Sequence, residues 1–87
     1  MHELTAITRL VRQADAAARD QGYEKVQAVT VRIGALAPLS PEVLEGLYAE
    51  AARGTALEGA SLRVERSSDL SDEAAGGVAL ISIDVQD

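Results

Sequence analysis

His2 is the only histidine among 87 residues, and it stands between Met1 and Glu3 in a chain with no cysteine. The Met1 amine, the His2 amide nitrogen and the His2 imidazole lie within one residue of each other. Together they can close two small chelate rings around a metal. A square, nitrogen-rich field of that kind suits Ni(II) or Cu(II) far better than Mg(II), which wants an oxygen octahedron. Zn(II) has no square preference. The amine must be free and unprotonated, so affinity should fall at acid pH and vanish if a tag precedes Met1. A bulky second residue disfavours removal of the initiator, so Met1 is expected to stay. Glu3 has two readings, a neighbouring donor or an acid that meets the start of a helix.

Other chemistries find little support. Without cysteine there is no disulfide, zinc ribbon, thiolate nucleophile or redox pair. The hydroxyls and carboxylates show no spacing that pairs a nucleophile with a base, so an enzyme is not expected. Asp69, Asp72 and Glu73 lack the glycine and ligand rhythm of a calcium loop and read as a solvated acidic segment. Gly34, Gly54 and Gly59 read as turn residues, since no glycine-rich run leads into a helix start. The formal net charge of −6 and eight scattered basic residues argue against nucleic acid. No apolar run has the length of a membrane span, and the start lacks a secretory pattern, so the cytoplasm is the expected compartment.

These residues must be positioned by a small body. The chain is 47% apolar but only 2% aromatic, so its core must be aliphatic and its stability modest. A partner or self-association into a homo-oligomer would help. Leu4, Ile7, Leu10, Val11, Ala14, Ala17 and Ala18 fall at helical spacing, with Arg9, Arg12, Gln13 and Arg19 for the wet side and Gly22 as a left-handed cap. Lys25 to Gly34 alternates as a strand, with Val29, Val31 and Ile33 on one face and Thr30 and Arg32 on the other. Ser40-Pro41-Glu42 is a strong helix start, and Leu44, Leu47, Tyr48 and Ala51 follow at helical spacing. Gly46 inside this helix suggests a close packing contact. Arg53-Gly54 ends it.

A second strand runs through Leu62 and Val64, and Ser67 to Gly77 reads as an aperiodic, acidic loop. The last strand, Val78 to Val85, is expected to put Ala79, Ile81, Ile83 and Val85 on one face. The expected fold is α+β: a three-stranded mixed sheet with two helices on one face, in the order α-β-α-β-β, as one domain over residues 1–87. The strand-helix-strand unit favours parallel pairing, and the long loop allows an antiparallel return.

Four blocks in this order resemble one family. They are Met1-His2-Glu3-Leu4, Val29-Thr30-Val31-Arg32-Ile33-Gly34, Gly54-Thr55-Ala56-Leu57-Glu58-Gly59-Ala60 and Ile81-Ser82-Ile83-Asp84-Val85-Gln86-Asp87. The chain resembles the HypA/HybF family, the nickel metallochaperones of [NiFe]-hydrogenase maturation, over residues 1–66 and 78–87. The resemblance implies transient Ni(II) binding at Met1, His2 and Glu3. It implies two partners, the nickel-handling GTPase of the pathway and the hydrogenase large subunit. The first helix, with Arg9, Arg12 and Arg19, is the candidate docking face. Family members usually carry a zinc ribbon between the last two strands. Here only Ser67 to Gly77 fills that place, so no zinc is expected. The alternative is a metal-free docking or scaffold protein of the same pathway.

Overall fold

The computed structural model describes residues 3–71 and 76–85, with Glu3 described by its backbone alone. Its elements are α1 (Glu3–Asp20), β1 (Val26–Ile33), α2 (Pro41–Ala52), β2 (Ser61–Arg66) and β3 (Val78–Val85). β1 lies in the middle of the sheet, parallel to β2 and antiparallel to β3. Both helices cover one face. Ile7, Leu10, Val11 and Ala14 of α1 and Leu44 and Tyr48 of α2 meet Val29, Val31 and Ile33 in an aliphatic core.

The local signals act as their chemistry requires. Gly22 takes φ +89°, which lets its amide reach the Arg19 carbonyl at 2.9 Å and the Tyr23 amide reach the Ala18 carbonyl at 3.0 Å. These two bonds satisfy carbonyls that the last turn of α1 would otherwise leave open. The Ser40 hydroxyl accepts from the Val43 amide at 3.2 Å, and Pro41 opens the first turn of α2. Gly46, however, is exposed, and a Cβ added there would meet nothing within 4 Å. The close contact expected at that glycine is absent. Leu47 and Ala51 are half-buried at the edge of the core, and Leu4 is 48% exposed, outside the apolar stripe of α1.

The strands depart from simple alternation at two places. Val26 pairs with Val85 and Ala28 with Asp84, leaving Gln27 as an extra residue on β1. Thr30 pairs with Ser82 and Val31 with Leu80, leaving Ile81 as an extra residue on β3. A bulge of this kind shifts the side-chain phase by one. Val78 and Leu80 therefore join Ile83 and Val85 against the core, while Ile81 is 42% exposed. The expected single face of Ala79, Ile81, Ile83 and Val85 is corrected by that bulge.

On the face of the sheet opposite the helices, Arg32 bonds Glu65 at 3.2 Å and Arg63 bonds Asp84 at 2.9 Å. Arg63 is the register partner of Thr30 on one side of β1, and Asp84 is the partner of Ala28 on the other. The Arg63–Asp84 pair thus spans the central strand, about 10 Å from one edge to the other. It roofs Ala28 and Thr30, which are buried although no helix covers them. Exposed pairs add about 0–1 kcal/mol each, so their contribution here is chiefly coverage of the central strand.

Candidate metal centre

Met1 and His2 lie outside the described residues, and Glu3 enters as the first residue of α1. What the structure does place is the helix that follows them. Ile7, Val11, Ala14 and Ala18 are buried along its length, and the Gly22 cap closes its far end. Asp15 fastens it sideways. One Asp15 carboxylate oxygen accepts from the Ala56 amide at 2.8 Å and from Arg19 Nε at 2.9 Å. The Ala56 amide, aided by the Arg19 guanidinium, holds the Asp15 carboxyl below the ordinary carboxylate range. Spacing could suggest the Asp15–Arg19 pair. Nothing local announces a bond to an amide 41 residues away.

The start of α1 lies at the end of the molecule where β1 finishes. Ala6, Arg9 and Leu10 share a depression with Val78, Ala79 and Leu80, and those β3 residues pair with Ile33, Arg32 and Val31. The connections beyond the sheet gather at the same end. The Gly34 amide bonds the Gly77 carbonyl at 2.8 Å, the Ser67 amide bonds the Ile33 carbonyl at 2.9 Å, and Arg66 donates to the Leu39 carbonyl at 2.6 Å. Among the described residues no group of three or more metal-binding side chains is assembled. Asp69 has its carboxylate engaged by the Ser71 amide and hydroxyl at 2.9 and 2.7 Å, and Asp72 and Glu73 lie outside the described residues. No described helix is long and apolar enough to cross a membrane.

The sequence now has a family. The family model described as HypA, hydrogenase/urease nickel incorporation, metallochaperone, matches residues 1–70. The chain is 45% identical over 65 residues to the hydrogenase maturation factor HypA of Chloroflexus aggregans, a match spanning 75% of this chain and 57% of that protein. It is 39% identical over 67 residues to HypA of Nitrosospira multiformis, spanning 77% of this chain and 58% of that one. The fold is similar to the solution structure of the Ni metallochaperone HypA from Helicobacter pylori, with TM-score 0.80 and 14% identity. That likeness covers 98% of this chain and 97% of the other. The chain belongs to the HypA family. It matches little more than half the length of the curated relatives.

Proposed function

We propose that this chain is a nickel metallochaperone that binds one Ni(II) at Met1 and His2, with Glu3 as a neighbouring donor, and passes it on during [NiFe]-hydrogenase maturation. The observation that carries this reading is family membership over a stretch that begins at Met1, joined to the chelate chemistry of a Met-His-Glu start. α1 beginning at Glu3 adds a physical reason. The first amides of a helix have no carbonyl four residues back, so a deprotonated His2 amide would cost no helical hydrogen bond. The positive end of the helix dipole would also favour that anionic nitrogen. A site made of a few donors at a chain end can be filled and emptied by ligand exchange, which suits transfer. Its partners would be the nickel-handling GTPase of the pathway and the hydrogenase large subunit, in the cytoplasm. On this reading the acidic segment Ser67–Gly77 takes the place of the zinc ribbon that the family resemblance implies, and without cysteine it would offer zinc no thiolate.

Nickel titration of the untagged chain, followed by calorimetry and visible absorption, tests this reading. One equivalent should bind, with the absorption of a square nickel–amide complex. His2→Ala and amine acetylation should each weaken binding by at least about tenfold, or about 1.4 kcal/mol. Binding should fade as the pH drops below about 8 and then below about 6.5, where the amine and the imidazole take up protons that compete with the metal. Equal affinity in wild type and His2→Ala would refute the site and leave the metal-free scaffold as the better account.

A further inference from the structure

β2 is an edge strand, and among the described residues no other strand pairs with its outer side. The Ser67 amide reaches the Ile33 carbonyl at 2.9 Å, and β2 runs beside β1 without a register shift. Peptide groups along a parallel strand alternate in direction, so Arg63 and Glu65 turn theirs toward β1 as Ser67 does. Those of Leu62 and Val64 face outward. An open row of this kind is usually blunted by a bulge, a proline or a charge standing over the edge. The segment Ser61–Arg66 holds no proline. Its charges are drawn away from the edge, Arg63 to Asp84, Glu65 to Arg32 and Arg66 to the Leu39 carbonyl. The opposite edge differs, because β3 carries the bulge at Ile81 and is flanked by α1. Of the two edges, only that of β2 is straight and unguarded.

Beside that edge a depression of about 440 Å³ opens between α2 and the start of β2. Tyr48, Ala52 and Leu62 form its apolar floor. The Tyr48 ring is fixed by its hydroxyl, which donates to the Leu57 carbonyl at 3.3 Å. Leu62 and Val64 lie half-buried on this helix-covered side of the sheet. Glu45 and Glu58 line the same depression as exposed residues, and their carboxylates have no ion pair or hydrogen bond among the described residues. Arg53, the cation beside them, is paired with Glu50 at 3.5 Å. An apolar floor with two free negative charges suits a lysine or arginine side chain. Its methylene stem packs on the floor while its head meets the carboxylates.

We propose that β2 is a docking edge for an extended basic segment of a partner protein. The segment pairs with the outward peptide groups of Leu62 and Val64, and every second side chain turns toward α2. A lysine or arginine at one of those positions enters the depression between Glu45 and Glu58. Backbone bonds supply the affinity, and the two carboxylates select the basic residue. The depression lies toward the beginning of β1, since Ser61 pairs with Ala28, whereas α1 starts at the end where β1 finishes. Docking here is independent of the nickel site.

NMR titration of the isotope-labelled, metal-free chain tests this with a blocked peptide in which threonine alternates with valine around a central arginine, so that valine and arginine share one face. In the free chain the Leu62 and Val64 amides should exchange rapidly with solvent, and those of Arg63 and Glu65 slowly. At saturation the peptide should slow exchange at Leu62 and Val64 by at least about tenfold. E45Q/E58Q should raise the dissociation constant by at least about tenfold, with far-UV circular dichroism confirming that the variant is folded. A peptide with glutamate in place of the arginine should weaken binding as much. N-methylation of alternate peptide amides should abolish binding in one phase and spare it in the other, since only one edge of the peptide pairs. No binding up to about 5 mM peptide, or equal binding of the arginine and glutamate peptides, would overturn the proposal. So would binding that leaves the Leu62 and Val64 amides in rapid exchange. Protection of those amides that grows with protein concentration alone would give the edge to a second copy and overturn it as well.

Discussion

Removing the Asp15 carboxylate should loosen the junction between α1 and the loop that leads from α2 to β2. Its oxygen serves the Ala56 amide at 2.8 Å and the Arg19 Nε at 2.9 Å, and Ala56 is buried. Asp15→Ala leaves that amide without its partner, and water has poor access to replace it. A hydrogen bond to a charged group contributes about 1.5–3 kcal/mol. The Arg19 pair is more exposed and adds only a few tenths. A loss of about 2 kcal/mol follows, which in a domain of this size lowers Tm by about 8–16 °C. Asp15→Asn keeps an acceptor but not the charge, and should fall about halfway.

The pH dependence supplies the sharper assay. The Asp15 carboxyl is held below its ordinary value when folded. Its stabilisation is therefore fully present above the unfolded pKa, about 3.9, and is lost as the pH falls through the folded value. Urea unfolding of wild type and Asp15→Ala at pH 7 and at successively lower pH should show a gap that closes on acidification. A gap below about 0.5 kcal/mol at pH 7, or one that persists unchanged in acid, would refute the role assigned to this carboxylate.

Gly46→Ala should stabilise the chain by up to about 1 kcal/mol, visible as a raised urea midpoint, because a Cβ there meets nothing and alanine is the better helix former. Leu44→Ala removes a side chain that is buried between α2 and the sheet, and should cost about 2–5 kcal/mol by the same measurement. In a chain whose core is small and aliphatic, the upper end of that range would leave little folded population at room temperature, which circular dichroism would show at once.

The chelate proposed at Met1 and His2 rests on sequence alone: its donors are covalent neighbours, so no fold is needed to bring them together, and both residues lie outside the described structure. The element order was legible for a related reason. The 3.6- and 2-residue periods, the Gly22 cap and the Ser40-Pro41 start are properties of short stretches of chain. Parallel pairing of β1 and β2 followed from the helix between them. What waited for the tertiary structure were relations between distant segments. The bulge at Ile81 exists only in register against β1, so alternation read along β3 alone put Ala79 and Ile81 on the wrong face. Leu4 has the spacing of a core residue, yet the surface against which α1 packs does not extend to it. Gly46 has no neighbour because α2 buries a different side. The Asp15–Ala56 bond and the Arg63–Asp84 span join residues 41 and 21 positions apart. Hydrophobic period tells which side of an element turns inward, but only the packed arrangement decides which polar atoms arrive within bonding distance.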